Sequence, residues 1–301
     1  MTARPPLAVT IDHRDAEPGG LRRPLHVRQR CRLLFLNMQE QDPIRDMGLT
    51  PYRDWIAEVT RLDPDQIQVV HVADGEPLPA TIEAHGIIGG GSGHSSYEEL
   101  PWIRRVKQYL TEAQRLGVPE LHICWSHQAK AETAGAVCKV GHKGRRFGIE
   151  QLTLTPAGRR DPLFHGLPDS FDVFTSHVDT VYDVPASSPL GPVTELAYGE
   201  VYRNESLAIG PTARTLQVHP ELTSGIAAAL ARVRRPQLVA EGHLGPSEAD
   251  YAAFLEELDW ADLEIRARMR MLLDNWLRYY VAVTESVVRH QHFVRFRAEG
   301  P

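Results

Sequence analysis

The sequence predicts an α/β fold, a mostly parallel sheet flanked by helices, with a C-terminal helical appendage. Three observations carry this. Short apolar runs alternate with helical patterns from Arg32 to about Thr133, the signature of strand–helix–strand units. Between about 136 and 220 the pattern changes to shorter strands and turns. Residues 236–301 are dominated by helical spacing. With 301 residues, 42% of them hydrophobic, the chain can bury a large core, as one domain or one domain plus an appendage.

Residues 1–30 contain Pro, Arg and Gly without sustained periodicity and read as an N-terminal extension. The main domain is expected over 31–235. Arg32-Leu33-Leu34-Phe35-Leu36-Asn37 suits a buried strand. Pro51 to about Leu62 reads as helix, Gln66 to Val72 as strand, and Gly86-Ile87-Ile88 as a strand running into Gly89-Gly90-Gly91-Ser92-Gly93. Pro101–Leu116 spaces Ile103, Val106, Leu110 and Ala113 as a helix does. Leu121-His122-Ile123-Cys124 is another short strand, and Ser126 to about Thr133 the helix after it. Gln151–Thr155 and Asp172–Thr175 are strands, and Pro192–Gly210 a hairpin region. In 236–301, Ser247–Leu258 and Trp260 to about Val283 read as two helices separated at Asp259–Asp262. Leu263, Ile265, Met269, Leu272, Leu273 and Trp276 are expected to line a single face, buried in cis or against a second copy. Arg266, Arg268 and Arg270 fall on the wet side.

A formal net charge of −6 argues against nucleic acid as the main partner. No run of 18 apolar residues occurs and the N-terminus lacks a signal pattern, so neither a membrane span nor secretion is expected. Three cysteines, an odd number, do not make a disulfide framework, and a reducing cytoplasm is the expected compartment.

Cys124 stands where an apolar strand gives way to a helix. A tight turn there lifts the side chain clear of the backbone, and the helix N-terminus favours a thiolate. The competing reading is a buried structural thiol, which we assign to Cys31 and Cys138. In Val218-His219-Pro220-Glu221, Pro220 pushes His219 toward extended backbone, so His219 and Glu221 share a face. The carboxylate can then hold the ring while the other ring nitrogen faces a nucleophile. Taken alone, the tripeptide is a weak signal and more often a surface turn.

Together these segments resemble the class I (triad-type) glutamine amidotransferases, and within them the stand-alone GMP synthase-like branch. That family carries Gly-aliphatic-Cys-x-Gly-His-Gln at its elbow; this chain has His122-Ile123-Cys124-Trp125-Ser126-His127-Gln128. It ends its catalytic core with His-Pro-Glu, here His219-Pro220-Glu221. Ser176-His177-Val178-Asp179, Leu154-Thr155-Pro156-Ala157-Gly158 and Gly89-Gly90-Gly91-Ser92 also resemble that branch. The likeness covers roughly residues 31–235. It implies a three-layer, flavodoxin-like sheet, with Cys124 as nucleophile, His219 as base and Glu221 as orienting acid. It implies an oxyanion hole from backbone N–H groups of Gly89, Gly90, Gly91 and Trp125, and a glutamyl site formed by Gln128, His177 and Asp179. No cofactor and no metal is implied. His122 and Ser126 replace the two elbow glycines, and the bulk of His122 is expected to narrow the site or alter its specificity.

The glycine run fails both the phosphate-loop and the dinucleotide patterns, and no His-Glu-x-x-His or paired Cys-x-x-Cys occurs. No Ser-Gly-Gly-x-Asp-Ser nucleotide loop occurs either. The expected function is therefore release of ammonia from glutamine, through a cysteinyl γ-glutamyl thioester, for a separate synthetase subunit. The C-terminal helices are the expected docking surface for a partner or a second copy. Two alternatives stand beside it. One is a γ-glutamyl amide or peptide hydrolase acting alone, distinguished by the pocket around His94, Tyr97 and His122. The other is a non-catalytic binding partner.

Overall fold

The computed structural model describes residues 31–282; the expected N-terminal extension lies outside the described residues. The chain runs β1 (Leu33–Asn37), α1 (Gln41–Asp46), α2 (Tyr52–Thr60), β2 (Ile67–His71), β3 (Gly86–Gly89), α3 (Pro101–Arg115), β4 (Glu120–Ile123) and α4 (Trp125–Thr133). It continues through β5 (Val137–Val140), β6 (Arg146–Leu154), β7 (Ser170–His177), β8 (Asp179–Tyr182), β9 (Ser187–Ser188), β10 (Gly191–Gly199), β11 (Ser206–Ile209) and β12 (Ala213–Leu216). Helices α5 (Ser224–Ala240) and α6 (Glu248–Trp276) follow.

Ten strands form one sheet in the order β2-β1-β3-β4-β12-β11-β10-β6-β7, with β9 on β10, while β5 and β8 pair separately. Pairing from β2 to β12 is parallel. From β12 to β7 it is antiparallel. The layered α/β expectation holds, but the sheet is mixed: parallel order is confined to five strands, in the flavodoxin-like sequence 2-1-3-4-5 if β12 counts as the fifth. The antiparallel half comes from the region of short strands and turns, where hairpin connections need no crossover helix.

The two faces of β1 show why it is apolar throughout. Leu33 and Phe35 join one core with residues of α2, α5 and α6. Leu34 and Leu36 join the other, with Ile103, Val106 and Leu110 of α3 and Ala129 of α4. Successive side chains of a strand point to opposite faces, so a central strand covered on both sides has no polar face.

Helix α6 is one continuous helix, not the expected pair. Asp259–Asp262 contains no Gly or Pro to break it. Ser247 and Asp250 form a capping box at its start. Leu258, Ala261, Ile265, Met269, Leu272, Leu273 and Trp276 are buried at three- and four-residue spacing. Leu263, expected among them, is 82% exposed, as is nearby Trp260 at 86%. The apolar face is buried in cis, within the core that holds β1 and β4. Arg266 and Arg270 both pair with Glu58 of α2, and Arg268 with Glu264. Residue 235 lies inside α5, so the chain passes from sheet to C-terminal helices without a linker at that point.

Candidate active site

Parallel strands β4 and β12 are neighbours, with Ile123 beside Leu216. Cys124 follows the end of β4, and His219 comes three residues after the end of β12. This adjacency brings two distant segments together at the carboxyl edge of the sheet, where open α/β folds place ligands. The Cys124 N–H donates to Leu216 O at 2.7 Å, and the His219 N–H to Phe174 O at 2.9 Å. Cys124 itself has φ 51° and ψ −108°. A non-glycine residue there is strained, and such strain concentrates at functional turns. Helix α4 opens at Trp125 without a side-chain cap, so its first N–H groups are free to face a ligand.

Cys124 and His219 line the same pocket, and the thiol is close enough to act on the charge of the ring. His219 Nδ1–H donates to Glu221 Oε1 at 2.7 Å, which leaves Nε2 for the sulfur. The sulfur also approaches Ser176 O at 3.8 Å. Burial disfavours charge on His219, but the Glu221 carboxylate and Cys124 outweigh it and hold the ring well above the usual histidine range.

Tyr52, in the first turn of α2, is a site residue that no sequence pattern marks. Its hydroxyl donates to Glu221 Oε1 at 2.6 Å and accepts from the Gly91 N–H at 3.2 Å. Burial first, then the Glu221 charge, pushes this phenol well above its ordinary pKa, so it remains a donor. His219, Glu221, Tyr52 and Gly91 thus form one hydrogen-bonded chain, and Cys124 shares their pocket. Ser92, Ser176 and Arg234 also line this open pocket.

The other predicted site residues lie elsewhere. Gly90 gives its N–H to Leu36 O at 3.0 Å. Gly89 sits inside β3, where a Cβ would fall 2.0 Å from Ser126 Oγ. Of the three glycines, Gly91 lines the pocket. Gln128 Nε2 donates to Asp179 O at 3.0 Å and to Gln217 Oε1 at 3.1 Å, and His177 Nδ1–H donates to Asp179 O at 2.9 Å. Gln128 and His177 thus converge on the backbone carbonyl of Asp179, and none of Gln128, His177 and Asp179 borders the pocket. Burial drives His177 down to about 3, so it stays neutral.

His122 does not narrow the pocket. It is fully buried, between Ser126 Oγ at 2.8 Å and Glu120 Oε2 at 2.7 Å. Lys130, also fully buried, completes the cluster at 2.5 Å from the same carboxylate oxygen. Burial opposes the Glu120 charge, but Lys130 and His122 hold its carboxyl below the usual range. Cys124 has already left the strand, so the face onto which residue 122 points need not be the face of the pocket. Nor do His94 and Tyr97 border the pocket. His94 Nδ1 contacts Glu98 Oε2 at 3.0 Å, and the Tyr97 hydroxyl donates to Asp179 Oδ1 at 3.2 Å.

Comparisons with known proteins give the family and the fold. Residues 61–230 match the family described as "Glutamine amidotransferase class-I". The chain belongs to that family. Among curated relatives, a subunit of the glutamine-hydrolysing GMP synthase of Halobacterium salinarum is 30% identical over 156 residues, covering 51% of this chain and 75% of that protein. The glutamine-hydrolysing GMP synthase of Thermosipho africanus is 30% identical over 138 residues, which cover 46% of this chain. The chain spans about a quarter of the length of that relative, 24%. A glutamine amidotransferase from Thermotoga maritima has the same fold, with a TM-score of 0.66 at 20% identity over 82% of this chain and 98% of that one. One from Methylobacillus flagellatus aligns with a TM-score of 0.65 at 16% identity, over 87% and 97%. This amidotransferase-family chain has no group of three or more His, Cys, Asp or Glu side chains arranged for a metal ion among its described residues. None of its described helices is long and apolar enough to cross a membrane.

Proposed function

We propose that this protein hydrolyses the side-chain carboxamide of glutamine through a γ-glutamyl thioester on Cys124 and passes the ammonia to a separate acceptor enzyme. The observation that carries this reading is the hydrogen-bonded pair His219–Glu221 set with Cys124 around one pocket at the carboxyl edge of the sheet.

His219 takes the thiol proton, and the sulfur attacks the amide carbon. The oxygen of the tetrahedral adduct is met by the Trp125 N–H at the head of α4, and by the Gly91 N–H once it shares its bond with Tyr52. Each such donor contributes about 3–4 kcal/mol. His219 protonates the leaving nitrogen, the C–N bond breaks, and ammonia departs. His219 then takes a proton from water, whose oxygen attacks the thioester. Glutamate leaves and the thiol is restored. Glu221 holds the ring in the tautomer that presents Nε2 and offsets the imidazolium charge. Gln128, His177 and Asp179 shape the site from behind, by fixing the segment that carries Ser176.

A separate acceptor is supported by the Halobacterium salinarum relative, whose name is that of one component of a glutamine-hydrolysing synthase. The test is glutamate release from glutamine and from γ-glutamyl peptides, by wild type and Cys124→Ala. We expect release from glutamine, abolished in the variant. Equal release by Cys124→Ala would reject the nucleophile. Robust peptide cleavage with negligible glutaminase activity would assign a stand-alone peptide hydrolase. No release from any γ-glutamyl compound would leave a binding protein.

A further inference from the structure

Helix α5 brings Arg234 to the rim of the pocket that Cys124 and His219 line. Its Nη1–H donates to Ser176 Oγ at 2.7 Å, and the carbonyl of the same serine receives Cys124 Sγ at 3.8 Å. One residue therefore links the guanidinium to the nucleophile. Among the described residues, no carboxylate pairs with Arg234. The nearby cations are already matched, Arg145 by Glu241 at 2.8 Å and Arg146 by Glu150 at 3.2 Å. Glu221, the acid in the same pocket, is held by His219 and Tyr52.

A partly buried guanidinium without a counter-ion is costly. Burial and the charge of Arg145 lower its pKa, and Cys124 acts the other way. Such a cost is tolerated where a ligand supplies the missing anion. Five N–H donors in a planar fork suit a carboxylate bound through two parallel hydrogen bonds. A glutamyl compound attacked at its side-chain carbonyl carries a free α-carboxylate a few bonds away.

We propose that Arg234 is a specificity-determining residue that binds the free α-carboxylate of the substrate's glutamyl unit while Cys124 attacks its side-chain amide. This rests on the glutamyl hydrolase reading above. It disfavours any glutamyl unit whose α-carboxyl is masked as an amide or peptide.

The test compares glutamine with its α-carboxamide derivative, as substrates of wild type, Arg234→Met and Arg234→Lys, with each product quantified by chromatography. Wild type is expected to favour glutamine by about 10- to 100-fold in kcat/KM, the worth of a charge-assisted pair, expressed mainly in KM. Arg234→Met should lose that preference by slowing glutamine alone, and Arg234→Lys should restore part of it. Thermal unfolding of each variant checks that it is folded. Equal discrimination by wild type and Arg234→Met would overturn the proposal. So would an equal fall in kcat for both substrates at unchanged KM, which would make Arg234 a support for the sulfur. Calorimetric binding of the two compounds to Cys124→Ala protein, with and without Arg234→Met, reads the same preference without turnover. If wild type hydrolyses neither compound, the hydrolase reading fails on its own. The binding preference then still decides the role of Arg234.

Discussion

Tyr52 is the residue that couples the two halves of the candidate site. It touches the carboxylate that orients His219 and the amide of the loop that faces the pocket. Its removal should release both. Tyr52→Phe is expected to destabilise the fold by about 1–3 kcal/mol, the usual cost of a lost hydrogen bond to a charged group. It should also lower kcat several-fold at nearly constant KM, checked by denaturant unfolding and steady-state glutamate release. Glu221 acts on the same ring electrostatically. Since His219 is held above the ordinary histidine pKa of about 6.5, its stabilising charge is complete below about pH 6.5. It fades as pH rises through the raised folded value. Glu221→Gln removes the chief raising influence, so an NMR titration of His219 should show a lower midpoint in the variant. An unchanged midpoint would contradict the assignment of Glu221. Cys124, His219 and Glu221 were legible because each lies in a short local pattern: an elbow at a strand end, and an alternating pair before and after a proline. Tyr52 and Arg234 were not. They sit on helices whose spacing reveals the buried face but not which distant residue that face will meet.

At the level of single elements, β3, β4 and α4 adapt together to the missing elbow glycines. His122 turns inward onto Glu120 and Ser126, and the space for Ser126 comes from Gly89 on the adjacent strand. Gly89→Ala should therefore destabilise by about 1–3 kcal/mol through overpacking. Combining it with Ser126→Gly should cost less than the sum of the two single changes, because the closest clash is then gone. Chemical denaturation of the four proteins in this cycle would measure it, and strict additivity would deny the contact. The sequence revealed the substitution at 122 but not its consequence, since a strand's pattern does not say which of its two faces borders the pocket. For the same reason the antiparallel half was only partly legible. Short strands joined by turns reveal that hairpins exist, not their order beside β12.

Across the molecule, α6 closes the core. Trp276 is fully buried near its end, and its ring atom Cη2 stands 3.0 Å from where a Cβ on Gly86 of β3 would lie. Its apolar stripe was legible from helical spacing, apart from Leu263, which lies one step off the stripe. The continuity of the helix was not, because acidic residues at 259 and 262 resemble a helix boundary but impose no break. Trp276→Ala should cost about 3–5 kcal/mol, read as a large fall in the urea midpoint. A loss below about 1 kcal/mol would mean that α6 is a separable appendage. The central claim concerns chemistry at a single sulfur, and three thiols allow an internal control. All three are buried, but of the three it is Cys124 that lines the pocket, and burial pushes the Cys138 thiol up to about 12. Protein quenched with acid during turnover of glutamine, then digested and mapped by mass spectrometry, should carry a glutamyl adduct on the peptide containing Cys124 and on neither other cysteine peptide. Glutamate release with no adduct at Cys124, or with the adduct on Cys31 or Cys138, would contradict the account.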